Sequence, residues 1–183
     1  MSHAARILQA YGTYGRSLVG LPRDHAQAVG ERLDALCATE HVLFHQVKKH
    51  HWMVVGAEHL PVRKFLDEIA DHARLAGDRL AERVTALGGV PTGSPKGQQE
   101  QAVFAYEETE DVVDVRSMLE RDLAAEQALI AALRESLSLA GDKGDHGTAD
   151  MLQELLREHE DEAHRLDHWL EPDSLTVGLR AAR

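Results

Sequence analysis

The chemistry-bearing residues of this 183-residue chain cluster in one stretch. His50, His51 and Trp52 stand together, and Asp67, Asp71, Asp78 and Glu82 follow them. Asp67 and Asp71 are four apart, as are Asp78 and Glu82, so each pair shares one face of a helix. Carboxylates at that spacing repel one another unless a cation neutralises them. Imidazole with carboxylate is the ligand set expected for Fe²⁺, with Zn²⁺ or Mn²⁺ as substitutes. An acid-rich helix face that is merely solvated has the same spacing, and on spacing alone both readings stand.

Further candidates lie outside this stretch. Glu40, Phe44, Val47 and His51 share one side of a helix, because eleven residues return almost to the same angle. Glu40 is then either a carboxylate behind His51 or on an ion's entry path, or a buried, hydrogen-bonded acid at a dimer interface. Glu160, His164 and His168 recur every four residues, with Asp161 and Glu162 beside them.

These groups need a scaffold, and the composition points to helices. Aromatic residues make up 4% of the chain, while Ala, Leu, Glu, Arg and Asp are abundant, which favours helix over sheet. Apolar residues recur at three- and four-residue spacing from Asp24 to Met53, Val62 to Leu87, Val112 to Leu139 and Thr148 to Leu170. The pattern predicts four long helices. The first-to-second and third-to-fourth connections are short, whereas the stretch from Pro91 to Glu110 is too long for a simple hairpin. Two short loops flanking one long connection predict a ferritin-like four-helix bundle with a crossover along its length. An up-and-down bundle with a long loop is the alternative. The expected division is an irregular N-terminal tail over 1–23, one bundle domain over 24–171 and a C-terminal tail over 172–183.

Cys37 is the only cysteine, which excludes an internal disulfide and a Cys-rich zinc site and suits a reducing, cytoplasmic setting. No stretch approaches the roughly 20 apolar residues of a membrane span, and none resembles a signal-peptide core. A formal net charge of −11 argues against a broad nucleic-acid surface and makes cations the natural partners.

The segment from His50 to Gly93, HHWMVVGAEHLPVRKFLDEIADHARLAGDRLAERVTALGGVPTG, resembles the signature of the Dps family of mini-ferritins. That signature is HWN-x-x-G, then a helix with Asp and AER, then LGG-x-P-x-G. The spacing agrees without a gap through His51-Trp52, Gly56, Asp67, Asp78, Ala81-Glu82-Arg83 and Leu87-Gly88-Gly89. GDHGTADMLQELLREHEDEAHRLDHWLE resembles the family's last helix. The resemblance implies an all-α, ferritin-like bundle whose long crossover carries a short extra helix. It also implies a homo-oligomeric shell, expected to be a dodecamer, with ferroxidase centres at two-fold dimer interfaces. His51 and Asp67 of one chain and Asp78 and Glu82 of its partner would bind iron there. Fe²⁺ would be oxidised by H₂O₂ in preference to O₂ and stored as Fe³⁺ mineral. Trp52 would lie beside the site, either intercepting oxidising equivalents or packing the interface. Asp145, His146 and Asp150 match the region where related shells line three-fold pores with acids, and the stripe around Glu160 would face the cavity or solvent.

Two positions depart from the family pattern. Met53 replaces its Asn, and Arg63 stands where it has a second ligand histidine. A guanidinium cannot ligate a metal and stays charged. If Arg63 points inward it competes with iron for Asp67; if outward, the centre lacks one imidazole, which His59, Asp71 or His72 would have to replace. A shell with a degenerate centre, binding metal passively or associating with DNA, is the alternative function. DNA binding is expected to be weak or absent, since the tails offer only Arg6, Arg16, Arg23, Arg180 and Arg183. Other di-iron carboxylate bundles use Glu-x-x-His, and no Glu here is followed by His three positions later.

Overall fold

The computed structural model describes residues 5–106 and 111–172, so Arg180, Arg183 and the rest of the expected C-terminal tail beyond 172 lie outside the described residues. Among the described residues are five helices and no strand: α1 Arg23–Met53, α2 His59–Ala86, α3 Pro95–Gln101, α4 Val115–Asp142 and α5 His146–Leu170. The four long ones are those the apolar spacing predicts. α1 packs mainly on α2, and α4 on α5, with α1 joining the two hairpins through α4. Leu33, Leu36, Leu66, Ile69, Leu129 and Leu133 are fully buried between them, so the expected inward stripes form one core.

Helix ends differ from the expectations for local reasons. α2 begins at His59 rather than Val62, because Pro61 falls in its first turn, where a missing N–H costs nothing. α4 begins at Val115 rather than Val112, because the Asp114 carboxylate accepts from Ser117 N at 3.0 Å and caps the helix. It runs past Gly141 to Asp142 and ends before Gly144, whose φ of +72° supplies the left-handed turn.

The crossover is tied along α1. Thr92 N donates to Asp34 Oδ1 at 2.6 Å, and Val103 N donates to Thr39 Oγ1 at 3.1 Å. Tyr106 then lines a small cavity with Gln46, His50 and Met53 near the far end of α1. From Asp34 to His50 is about 24 Å at 1.5 Å per residue, so this segment travels much of the bundle's length. α3 is the short extra helix, capped by Ser94. Consequently α4 starts beside the end of α1, and Gln46 and His50 bond its Asp122 at 2.9 and 2.8 Å.

The Leu87-Gly88-Gly89 turn also holds the N-terminal segment. The buried Tyr14 ring lies 2.4 Å from where a Cβ on Gly30 would stand and 2.6 Å from one on Gly89. Any side chain at either glycine would displace that ring.

Candidate metal centres

Four residues of α1 and α2 meet on the bundle surface. The 51 and 67 positions face each other across the hairpin, with His51 Nε2 3.7 Å from Asp67 Oδ1. Lys48, one turn before His51, places Nζ 2.6 Å from the same carboxylate oxygen. Arg63 stays exposed but turns toward the pair, donating from Nε to His51 Nε2 at 3.4 Å. That contact uses the Nε2 lone pair, the electrons a metal would take. Burial, then the positive charges of Lys48 and Arg63, depress the His51 pKa against the pull of Asp67, so the ring favours its neutral, ligating form. The Lys48 hydrogen bond foremost holds Asp67 below the usual carboxylate range. Arg63 therefore engages the imidazole, and Lys48, which sequence reasoning missed, engages the acid.

Asp78 and Glu82 are exposed further along α2, with Arg74 Nη1 3.7 Å from Asp78. Asp78 lies about 16 Å from Asp67 along the helix at 1.5 Å per residue. One chain cannot bring the two pairs to a single ion. Trp52 is 63% exposed beside His51. Of the suggested replacement ligands, Asp71 is exposed, His59 bonds Gly56 O at 3.0 Å in its own turn, and His72 points into the bundle.

His72 joins a second constellation, at the bundle's centre, that the sequence reading did not assemble. His159 of α5 is fully buried between Glu126 of α4, whose Oε2 is 2.8 Å from Nδ1, and Glu40 of α1, whose Oε1 is 2.9 Å from Nε2. Glu162, one turn on, places Oε2 3.4 Å from His159 Nδ1 and both oxygens 3.0 Å from His72 Nδ1. Glu158 accepts at 2.9 Å from His72 Nε2. Glu40 Oε2 and Glu126 Oε1 are buried without a hydrogen-bond partner among the described residues.

Glu40 thus belongs to the bundle core and to no subunit interface or position behind His51. α1 buries most of its circumference between Leu33 and Val47, so sharing a side with His51 does not decide which neighbour Glu40 meets. The available signal was polar residues at apolar register. Leu155, His159, Glu162 and Leu166 run at four-three-four spacing on α5, and Glu126 lies between Leu119 and Leu129 on α4. The expected motif was Glu-x-x-His, whereas α5 carries the reverse order, His159-x-x-Glu162.

Electrostatics bind the cluster tightly. Burial pushes the Glu126 carboxyl up to about 7 against the attraction of His159. Burial also opposes charge on His159, but Glu40 and Glu126 outweigh it and keep the ring protonated well above its ordinary range. Burial would raise Glu162, yet hydrogen bonds from His159 and His72 reverse that and hold it low.

Several of the remaining candidates have partners within the chain. Asp145 is 3% exposed in the single chain, caps α5 through Thr148 N at 3.1 Å and accepts from Arg83 Nη2 at 2.6 Å. His146 and Asp150 are exposed. Glu160 bonds Arg134 at 2.6 Å, and the exposed rings of His164 and His168 lie 4.1 Å apart.

Comparison with known proteins matches residues 23–175 to the Ferritin-like domain family. The chain is 46% identical over 163 residues to the DNA protection during starvation protein of Halobacterium salinarum, across 89% of each. It is 36% identical to a nutrient stress-induced DNA-binding protein of a Nostoc strain, across 98% of this chain and 97% of that one. A crystal structure of an archaeal Dps homologue from Halobacterium salinarum superposes with a TM-score of 0.88 at 43% identity, covering 95% of this chain and 97% of that one. DpsC from Streptomyces coelicolor gives the same TM-score at 31% identity, covering 93% and 99%.

Proposed function

The chain belongs to the ferritin-like family and, within it, to the Dps mini-ferritins, and from that premise we propose that it binds and oxidises Fe²⁺ between paired subunits of a hollow shell. His51 and Asp67 of one subunit, with Asp78 and Glu82 of its partner, hold the ions. Iron is substrate and cargo. Two Fe²⁺ each give one electron to H₂O₂, which is preferred over O₂; the peroxide O–O bond breaks and, with two protons, its oxygens leave as two waters. The resulting Fe³⁺ hydrolyses, releases protons and joins a mineral in the cavity of a cytoplasmic dodecamer, which protects the cell from oxidative stress.

The observation that carries this reading is the symmetry of the α2 acid stripe. Asp67 and Glu82 are equidistant from the point between Arg74 and Leu75, and so are Asp71 and Asp78. A two-fold axis at that point lays α2 antiparallel against its copy and brings each end of one stripe to the opposite end of the other. Leu75 is 51% exposed there and supplies apolar surface for the contact. His51 contributes a neutral imidazole, and Trp52 lies at the rim.

Lys48 and Arg63 favour a second reading, a shell whose centre has lost fast oxidation and binds metal passively. In the first reading, Fe²⁺ displaces the Lys48 ammonium from Asp67 and the Arg63 guanidinium from His51. Anaerobic Fe²⁺ titration, followed by stopped-flow addition of H₂O₂ and then O₂, decides between them. Stoichiometric uptake with fast peroxide-driven oxidation supports the working centre; oxidation no faster than in a protein-free control leaves the passive shell. DNA association is weak in either case, because each subunit brings a formal charge of −11.

A further inference from the structure

We propose that His72, His159 and Glu162, with Glu126, form a binding site for a divalent transition-metal ion, Fe²⁺ foremost, inside each subunit's bundle. The site is separate from the interface residues and does not depend on the reading given to them.

Three observations carry it. The first is geometric. Ligand atoms of His72, His159 and Glu162 lie within 4.8 Å of one another. Glu162 is 3.0 Å from His72 Nδ1 and 3.4 Å from His159 Nδ1, and Glu126 is 2.8 Å from the latter. Donors about 2.1 Å from one ion stand roughly 3.0–3.4 Å apart at neighbouring vertices of its polyhedron. A small adjustment of His72, His159 and Glu162 therefore places three donors around a single ion, with the Glu126 carboxylate beside His159 Nδ1.

The second is the orientation of the rings. A metal-bound histidine typically donates its other ring N–H to a carboxylate, which fixes the tautomer and the ring plane. His159 directs Nε2 to Glu40 at 2.9 Å, and His72 directs Nε2 to Glu158 at 2.9 Å. Both rings thus have their distal nitrogens anchored and their Nδ1 atoms turned toward Glu162. Binding takes the place of the Nδ1 hydrogens now shared with the carboxylates and leaves the two outer bonds intact.

The third is polar satisfaction. Glu126 and His159 are 0% exposed, yet Glu126 Oε1, on the Nδ1 side of His159, has no hydrogen-bond partner among the described residues. A buried carboxylate oxygen without a donor is costly, and a cation satisfies it. Two imidazoles with one carboxylate suit a divalent first-row metal, particularly Fe²⁺, over Mg²⁺ or Ca²⁺. A groove of about 500 Å³ between α2 and α5, lined by His72, Glu158, Asp161 and Glu162 together with Arg157 and Arg165, opens this side of the cluster to solvent.

The test uses the assembled full-length protein carrying His51→Ala and Asp78→Ala, so that the interface centre is removed. Anaerobic titration with Co²⁺ reports coordination through its visible d–d bands, and dialysis with elemental analysis counts ions. The expected result is about one Co²⁺ per chain with nitrogen–oxygen ligation, and a rise in Tm on binding. Adding Glu162→Gln or His72→Gln to that background weakens binding by about 10- to 100-fold. No Co²⁺ bands and no Tm rise in the interface-deficient protein would overturn the proposal, as would unchanged bands and affinity after both core substitutions. Because the readout is binding in a protein that lacks the interface residues, failure here is distinct from failure of the oxidation reading.

Discussion

Glu40 and His159, 119 positions apart in the chain, meet at 2.9 Å at the centre of the bundle with no solvent exposure on either side chain. Their contact joins α1 to α5, whereas the larger helix interfaces run within the two hairpins and between α1 and α4. Removing one member of a buried ion pair leaves the other charge uncompensated. Glu40→Ala is therefore expected to destabilise the protein by about 3 kcal/mol, the low end for such a loss because Glu126 and Glu162 still face His159. Glu40→Gln, which keeps an acceptor, should cost less. Urea denaturation at neutral pH compares the two; equal stability of Glu40→Ala and wild type would show that the pair is not structural.

His51→Ala and Asp78→Ala should each abolish fast iron oxidation while leaving shell assembly intact. The first removes the imidazole that faces Asp67, and the second removes a carboxylate from the partner's contribution. Stopped-flow absorbance with size-exclusion chromatography checks both parts. Fast oxidation retained in both variants would place the reaction elsewhere.

Lys48 and Arg63 make an opposite prediction. Lys48→Met frees the Asp67 carboxylate and should tighten Fe²⁺ binding, at a stability cost below about 1 kcal/mol because the pair is partly solvated. Arg63→His replaces a competing cation with a ligand and should speed peroxide-driven oxidation on the order of ten-fold. Calorimetric titration of Lys48→Met and stopped-flow kinetics of Arg63→His measure the two effects. If neither variant differs from wild type, the cations are bystanders.

The bundle was legible because its evidence is periodic. Leu66, Ile69, Leu129 and Leu133 repeat at helical spacing, and the connection after Pro91 is long enough for a crossover. The surface patch was legible in part: His51 and Asp67 do face one another, but Lys48 reads as an ordinary solvated lysine until α2 is folded against α1. The central cluster was illegible as a unit. Glu40, His72, Glu126 and His159 come from four helices, and their association depends on helix rotation and relative height, which one-dimensional spacing does not fix. The search for Glu-x-x-His missed it for a simpler reason, since α5 presents the pair in reverse order.

Asp114 gives a pH-dependent prediction. Hydrogen bonds from the Ser117 hydroxyl and amide hold its carboxyl below the ordinary range. With the folded value lowered, the cap contributes fully above the unfolded aspartate value of about 4 and is lost as pH falls through the folded one. Asp114→Ala should cost about 1 kcal/mol at neutral pH. The gap from wild type should narrow as pH drops below about 4. Thermal melts of the two proteins across that range provide the check, and a gap constant with pH would mean that the carboxylate charge is not involved.

Asp145 separates a structural role from one in guiding ions. Its carboxylate caps α5 at Thr148 N and neutralises Arg83, whose Nη2 lies 2.6 Å away. Asp145→Ala removes the cap and strands a half-buried guanidinium, for a combined loss of about 2–4 kcal/mol. Asp145→Asn keeps an acceptor for Thr148 and loses only the charge, so it should cost roughly 1–2 kcal/mol. A pore acid behaves differently, because removing its charge slows Fe²⁺ uptake whether or not the fold is weakened. Uptake rate and Tm measured together on Asp145→Asn distinguish the two. With the side chain 3% exposed, Tm should fall while the uptake rate stays at the wild-type value; slowed uptake at unchanged Tm would return Asp145 to the path of the ion.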